Sequence, residues 1–161
     1  MTGIGESHGR SLDEVAAEVR TGGLRRRWRC KTGEVSKCVF CDLLGIGALV
    51  RRGDHFGAFF DSYPLSPGHL LIVPLRHLES FFDFNKAEAA ELYSFVAGCK
   101  GVLDRQFEPS GYNLGVNDGR AAGQTVMHTH LHLIPRYPGD VHDHRGGVRA
   151  IFPDSARYWE T

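Results

Sequence analysis

The feature that most constrains this chain is a short run in which histidine occupies every second position. His128, His130 and His132 alternate with smaller or apolar residues, and Pro135 closes the run. Because successive side chains of a β-strand point to opposite faces, this spacing predicts three imidazoles on one face and an apolar face on a core. Alternate residues lie roughly 6.5–7 Å apart, too far for three imidazoles to share one ion without distortion. The spacing suits one histidine on a metal, one at a reacting atom and one beside it.

A purely structural role is the simplest alternative for this row of histidines. Neutral imidazoles need hydrogen-bond partners when they are buried, so three in a row are costly to keep for packing alone. We therefore expect the row to line a binding site.

The histidine run belongs to a longer series of motifs. They are the Cys-x-x-Cys pair at 38–41, Phe60-Asp61, PGHLLIVPLRH at 67–77, YNLGVN at 112–117 and GQTVMHTHLHLIPR at 123–136. In order and spacing they resemble the motifs of the histidine-triad (HIT) superfamily of nucleotide hydrolases and transferases. The resemblance implies a HIT domain over residues 36–137, an N-terminal extension at 1–35, and a C-terminal tail at 138–161 that packs near the site.

Hydrophobic periodicity predicts an α+β domain, and the resemblance implies the HIT-like fold. We expect about five antiparallel strands with one long helix and one or two short ones. The predicted strands are 48–52, 56–60, 69–74, 112–116 and 127–135. The long helix is predicted from Lys86 to about Phe107, with Asn85 and Glu88 forming a capping box.

Shorter helical segments are predicted outside the long helix. Residues 38–44 read as a tight knuckle that runs into a short helix or turn, and 11–20 as a short amphipathic helix. Between His77 and Phe84 we expect a helical segment with Leu78, Phe81 and Phe82 pointing inward.

Composition limits the classes of partner. The 161 residues include 19 Lys plus Arg and 19 Asp plus Glu, so a net charge of zero provides no global field for a nucleic acid. No apolar run approaches the ~18 residues of a membrane span, and the N-terminus lacks a secretory apolar segment, so we expect a cytoplasmic protein without a membrane partner. The resemblance implies a purine nucleotide substrate and a homodimer.

The Cys-x-x-Cys pair is the first half of a candidate zinc site. Cys38 and Cys41 lie outside the strand–helix context of a redox motif, and two thiolates with two imidazoles form a usual closed, tetrahedral zinc site. The resemblance implies that His77 and His128 complete it, and that the Zn²⁺ is structural. The alternative is a pair of thiols that bind no metal, as in relatives that have lost the ion.

The resemblance also implies the catalytic roles. His130 is the expected nucleophile, which attacks the α-phosphorus and forms a nucleotidyl-histidine that water then hydrolyses. His132 and His69 are expected to donate to the phosphate, and Gln124 and Thr125 to bind its oxygens. A neutral His130 also needs an acceptor that holds its tautomer.

Further residues are expected around the sugar and the base. Asp61 resembles the acidic residue that accepts both ribose hydroxyls, although an Asp that caps a turn would look the same in sequence. Asn117 matches an Asn at the phosphate or sugar edge. An apolar slot for the base is expected from four residues, namely Phe40, Leu43, Phe59 and Ile72. The tail residues Arg145, Arg149 and Trp159 are expected to shape the pocket.

Two classes of function fit these features. The first is a hydrolase that releases a nucleoside monophosphate from a phosphoramidate, an acyl-adenylate or a dinucleoside polyphosphate, with a phosphorylase that uses orthophosphate as a close variant. The second is a non-catalytic, zinc-stabilised nucleotide-binding module, which the intact His130 disfavours because a binder needs no nucleophile. The transferase branch with Gln at the last triad position is disfavoured because residue 132 is His.

Overall fold

The computed structural model of this chain describes residues 38–156. Its strands are β1 Arg51–Arg52, β2 Phe56–Phe60, β3 Leu70–Pro74, β4 Gly111–Val116 and β5 Leu131–Arg136. Its α-helices are α1 Val39–Ile46, α2 Lys86–Phe107 and α3 Pro153–Ala156, and short 3-10 helices occupy Phe81–Asp83, Arg120–Ala122 and Gly147–Ile151. The helix predicted at 11–20 and Trp159 lie outside the described residues.

The five strands form one antiparallel sheet in the order β1-β2-β3-β5-β4. Strand β3 is central: Leu70 pairs with Phe60 on one side and with Leu133 on the other. The predicted α+β class and the five-stranded antiparallel sheet are therefore confirmed.

Alternation along the strands divides the core between the two faces of the sheet. The face under α2 buries one apolar cluster, formed by Phe56, Ala58, Leu70, Ile72, Phe95, Cys99, Leu103, Leu131 and Leu133. The opposite face packs on α1 through a second cluster, formed by Phe40, Leu44, Phe59, Leu71 and Val73. Strand β3 contributes to both clusters, so it is buried on both faces as its continuous apolar pattern predicts.

The long helix begins and ends at the predicted residues. The Asn85 side chain accepts from the main-chain N–H groups of Ala87 and Glu88, and Glu88 accepts from Asn85 N–H, which completes the capping box. Cys99 lies fully buried on the inner face of this helix, and burial raises the pKa of its thiol to about 11. The thiol is therefore neutral and serves packing.

The strand that carries the histidines begins later than the sequence predicts. Strand β5 starts at Leu131, because the N–H of Thr129 donates to the Leu78 carbonyl (2.6 Å) and that of His128 to Val126 (2.8 Å), which keeps both out of the sheet. The prediction that the strand starts at 127 is wrong. The predicted strand 48–52 is likewise reduced to Arg51–Arg52.

The segment that follows β3 also departs from expectation at one residue. Leu78 is buried, but Phe82 is 82% exposed, so its predicted inward orientation is wrong. With three residues per turn of a 3-10 helix, Phe81 and Phe84 share one side, where their tilted rings pack with centroids 5.0 Å apart, and Phe82 is directed outward.

After β5, the 3-10 helix Gly147–Ile151 packs beside β4. Arg136 pairs with Asp140, and the Tyr137 hydroxyl donates to the Pro67 carbonyl oxygen (3.0 Å). The predicted division into extension, domain and tail stays a prediction. Across residues 38–156, no helix combines the length and apolar character that crossing a membrane requires.

Candidate active site and metal centre

Four predicted metal ligands come together from three parts of the chain. Cys38 caps α1 and Cys41 lies in its first turn, His77 follows β3, and His128 precedes β5. The Nδ1 atom of His128 lies 3.4 Å from Cys38 Sγ and 3.6 Å from Cys41 Sγ, and Nδ1 of His77 lies 3.4 Å from Cys41 Sγ. One ligand atom from each residue lies within 4.8 Å of all the others.

These distances fit a tetrahedral zinc site. Zn–S bonds near 2.3 Å and Zn–N bonds near 2.0–2.1 Å place sulfur and nitrogen about 3.6 Å apart around one ion. The Nε2–H of the fully buried His128 donates to the Pro74 carbonyl oxygen (3.0 Å), so the lone pair on Nδ1 faces the sulfurs. Burial lowers the pKa of His128 to about 4, which keeps the ring neutral as a ligand must be.

The second triad residue, His130, is buried with one ring nitrogen committed. Its Nδ1 lies 2.9 Å from the main-chain oxygen of His128, and since a carbonyl can only accept, Nδ1 carries the hydrogen. The lone pair is therefore on Nε2, the nitrogen that can act as a nucleophile. The Phe40 ring packs edge-on against the imidazole with centroids 4.9 Å apart, which fixes the ring plane.

The third triad residue, His132, is linked to His69. The N–H of Leu65 donates to Nδ1 of His69 (3.2 Å), so His69 carries its hydrogen on Nε2. That Nε2–H donates to Nδ1 of His132 (3.0 Å), which leaves His132 with its own hydrogen on Nε2. A main-chain donor thus fixes both tautomers, and His132 presents an N–H group from the site.

Both rings of this pair are neutral near pH 7. Burial, with smaller contributions from His130 and His69, lowers the pKa of His132 to about 4. Burial also lowers the pKa of His69, although Asp61, whose Oδ2 lies 3.6 Å from Nδ1, partly offsets that effect. In the unliganded site these histidines are therefore neutral donors.

Asp61 shows the turn-capping geometry that its sequence allowed. Its Oδ1 accepts the N–H of Tyr63 at 2.9 Å, while Oδ2 faces His69. The carboxylate is mostly buried but retains some exposure. Its predicted contact with ribose stays a prediction.

The loop between β4 and β5 is organised by Gln124. The Oε1 atom accepts from Gly119 N–H (2.7 Å), and Nε2 donates to the carbonyl oxygens of Glu79 (2.8 Å) and Val126 (3.2 Å). The side chain is 4% exposed, so its polar atoms are used within the protein. The predicted contact of Gln124 with phosphate stays a prediction. Such a contact would require one of these bonds to break.

Two other predicted contacts of the same loop lie nearer the surface. Thr125 is exposed and Asn117 is half-buried, and neither side chain makes a hydrogen bond within residues 38–156. Asn117 lies against Gly123, whose positive φ of 90° favours glycine. Both side chains are thus available to a ligand.

One of the four predicted base-slot residues is misplaced. The tilted rings of Phe40 and Phe59 pack on the α1 face with centroids 5.5 Å apart, and Leu43 packs against their cluster. Ile72 belongs to the cluster under α2 on the opposite face, because its neighbours on β3 alternate in direction. Its assignment to the slot is wrong.

Sequence reasoning missed three contacts that shape the site. They are the bond from Leu65 N–H to His69, the bidentate pair of Arg76 with the buried Glu88, and the bonds from Ser80 and Phe81 to Asp118. In each contact a side chain bonds to a partner whose position hydrophobic periodicity does not predict. The one sequence signal for them was that Arg76 lies next to the predicted zinc ligand His77.

The C-terminal residues form a small pocket of their own. Arg136, Asp143, His144 and Arg145 contribute to its lining. Asp143 accepts from Arg145, and Arg149 donates to the Ser155 carbonyl oxygen. The predicted role of the tail in shaping the substrate pocket stays a prediction.

A comparison with protein families finds a match to the model described as HIT domain over residues 47–139, more than half of the chain. An uncharacterised HIT-like protein of Methanocaldococcus jannaschii is 38% identical over 108 residues, which are 64% of this chain and 81% of that protein.

Two relatives carry the names of enzymes. An AP-4-A phosphorylase of Mycobacterium tuberculosis is 38% identical over 95 residues, 58% of this chain and 49% of that protein. A bis(5'-nucleosyl)-tetraphosphatase (asymmetrical) of Schizosaccharomyces pombe is 39% identical over 83 residues, 52% of this chain and 46% of that protein. The chain spans about half the length of these two enzymes.

Among solved structures, a Zn-bound histidine triad family protein from Mycobacterium smegmatis superposes with a TM-score of 0.58 at 30% identity. The superposition covers 65% of this chain and 78% of that one.

Proposed function

The chain belongs to the HIT domain family, and from that premise we propose that it is a nucleotidyl hydrolase or transferase acting on the α-phosphorus of a purine nucleotide. The substrate is a nucleoside phosphoramidate, an acyl-adenylate or a dinucleoside polyphosphate. The observation that carries this proposal is the hydrogen bond from Nδ1 of His130 to the His128 carbonyl oxygen, which directs the lone pair to Nε2.

The first step forms a covalent intermediate. The Nε2 lone pair of His130 attacks the α-phosphorus, and the bond from phosphorus to the leaving group breaks. The leaving group departs with that electron pair and takes up a proton from solvent. The Nδ1–H of His130 stays bonded to the His128 carbonyl oxygen, which stabilises the positive charge that develops on the ring. The Nε2–H of His132 donates to a non-bridging oxygen.

The second step releases the product. Water attacks the same phosphorus and releases a proton to solvent, and the bond between nitrogen and phosphorus breaks. Its electron pair returns to Nε2 of His130, and the nucleoside monophosphate leaves. Asp61 accepts the ribose hydroxyls through its carboxylate oxygens, while Asn117 and Thr125 contact the sugar edge and the phosphate. The Phe40 and Phe59 rings border the base.

The metal centre serves structure in this proposal. Cys38, Cys41, His77 and His128 hold Zn²⁺, which stabilises the attachment of α1 to the sheet when it is bound. Four protein ligands leave no open position, so the ion does not activate water. The same set of thiolates suits the reducing cytoplasm, which is the proposed location.

We further propose a homodimer joined through β4. Within residues 38–156 this strand pairs only with β5, so its outer edge can pair with another chain. Light scattering at micromolar concentration tests this state, and a monomer mass contradicts it.

A phosphorylase is the second candidate, favoured by the similarity to the AP-4-A phosphorylase. The test supplies adenosine 5′-phosphoramidate and diadenosine tetraphosphate, each with and without orthophosphate. Release of AMP regardless of phosphate supports the hydrolase, whereas formation of ADP only with phosphate supports the phosphorylase.

The matched variants of that experiment are His130→Ala and His144→Ala. The first removes the proposed nucleophile. The second removes an exposed histidine that belongs neither to the triad nor to the proposed metal ligands. Turnover that survives His130→Ala contradicts the mechanism. AMP binding without turnover of either substrate by the wild type supports the non-catalytic module instead.

A further inference from the structure

The carboxylate of Asp118 fastens the loop from Asn117 to Gln124 to the segment after β3. Asp118 has no part in the proposed mechanism. Asp118 Oδ2 accepts the main-chain N–H of Phe81 at 2.6 Å and the Ser80 hydroxyl at 3.0 Å. Its Oδ1 lies 3.1 Å from the same hydroxyl. The side chain thus turns its negative charge toward residues 80–81.

Gln124 makes a second fastening to the adjacent residue. Its amide nitrogen has two hydrogens, which are used by the carbonyl oxygens of Glu79 and Val126, and its oxygen accepts from Gly119. A direct contact with phosphate would break one of these part-buried bonds, so the contact would have to offset the lost hydrogen bond.

Main-chain bonds close the loop between these two side chains. The Gly119 carbonyl oxygen accepts from the N–H groups of Ala122 (3.1 Å) and Gln124 (3.2 Å). Gly119 has φ 84° and ψ 159°, a conformation that is essentially limited to glycine. The loop therefore has one defined shape that depends on its attachment to residues 79–81.

We propose that Asp118 and Gln124 are positioning residues that together hold this loop in the shape that presents Asn117 and Thr125 to the nucleotide. The inference rests on the proposed function and assigns neither side chain a contact with substrate. Asn117 precedes Asp118 and Thr125 follows Gln124, so each positioning residue is next in sequence to one of the two residues that face the nucleotide. A carboxylate aimed at phosphate would repel it, and the bonds to Ser80 and Phe81 direct that charge elsewhere.

The test uses the zinc-loaded full chain and compares Asp118→Ala, Asp118→Asn, Gln124→Ala and the double variant Asp118→Ala/Gln124→Ala. The control is Asp104→Ala, which removes a carboxylate on α2 that accepts from the Tyr112 hydroxyl at 2.8 Å. Calorimetry measures the Kd for AMP, thermal unfolding measures Tm, and hydrogen exchange of the free protein measures protection of the amides of Gly119, Ala122 and Gln124.

We expect Asp118→Ala and Gln124→Ala each to weaken AMP binding by about 10- to 100-fold and to speed exchange of the loop amides. Because both side chains hold one loop, the double variant is expected within about 3-fold of the weaker-binding single variant. Asp118→Asn retains an oxygen that can accept from Phe81 N–H, so it should restore most of the affinity. The control should change the Kd by less than about 2-fold, even if its Tm falls as far as that of Asp118→Ala.

Three results would overturn the inference. One is an Asp118→Ala protein with wild-type affinity and wild-type exchange. Another is a double variant whose loss equals the product of the single losses, which would mean that Gln124 contacts the phosphate independently. The third is exchange that is unchanged in both single variants. A wild-type chain that binds no AMP would overturn the proposed function, whereas the exchange comparison needs no nucleotide and still decides whether the two residues fasten the loop.

Discussion

The main-chain carbonyl oxygen of His128 lies 2.9 Å from Nδ1 of His130, while the His128 imidazole directs its own Nδ1 toward Cys38 and Cys41. One residue therefore belongs to both the metal centre and the proposed catalytic centre. Its side chain fits the zinc site and its carbonyl holds the tautomer of His130, the proposed nucleophile. Loss of the metal should consequently affect both stability and turnover.

Replacing one zinc ligand tests that connection. We expect Cys41→Ser to reduce zinc to well under one ion per chain and to lower kcat by about 10-fold or more, because a loosened His128 no longer fixes His130. Metal analysis of protein purified without chelator and steady-state kinetics provide the two readouts. Cys99→Ala is the control: it creates a cavity in the core under α2, but the variant should keep a full zinc complement. Full zinc content in Cys41→Ser contradicts the assigned ligand set.

The pH dependence of stability should report His132. Its folded pKa is about 4, below the value near 6.5 expected in the unfolded chain, so the unfolded state binds the proton first as the pH falls. The stability contributed by the neutral ring is complete above pH 6.5 and is lost toward pH 4. Between pH 7 and pH 5 this group should cost about 2 kcal/mol of unfolding free energy.

Comparison of urea unfolding between the wild type and His132→Gln isolates that contribution, since both proteins keep the four proposed metal ligands. The variant should lose less stability between pH 7 and pH 5. Identical losses in the two proteins would show that His132 does not resist protonation in the fold.

The pair between Arg76 and Glu88 should dominate the stability of the segment that carries His77. Glu88 has a side chain 3% exposed and accepts from Nε and Nη2 of Arg76 at 3.0 and 2.8 Å. Arg76→Ala leaves that buried carboxylate without its cation, so we expect a loss of about 2–3 kcal/mol in chemical denaturation. Lys100→Ala, which breaks an exposed pair with Asp104, should cost under about 0.5 kcal/mol. Equal losses in the two variants would contradict the importance of burial.

Features set by local chemistry could be predicted from the sequence. Helix α2 has its predicted bounds because Asn85 and Glu88 specify the start and one apolar stripe specifies the buried face. The alternation of the histidines also predicted that they would be divided between functions. In the structure His128 faces the cysteines and His132 faces His69, with His130 between them.

Features set by distant partners could not be predicted. The Gln124 amide bonds to Glu79, 45 positions away, and Asp118 bonds to Ser80, 38 positions away; neither pairing leaves a periodic trace in the sequence. The late start of β5 has the same cause, because Thr129 donates to Leu78 instead of to a neighbouring strand. Tertiary hydrogen bonds thus decide the details on which the chemistry depends.

The most direct test of the account is to trap the nucleotidyl-histidine. Quenching in denaturant at alkaline pH, which preserves the acid-labile bond between nitrogen and phosphorus, is applied during turnover of adenosine 5′-phosphoramidate or diadenosine tetraphosphate. Tryptic digestion would then yield the peptide of residues 121–136, which holds all three triad histidines. We expect one adenylyl group on His130 in the wild type and none in His130→Ala. An adenylyl group on another residue, or turnover with no covalent species in rapid-quench samples, would contradict it.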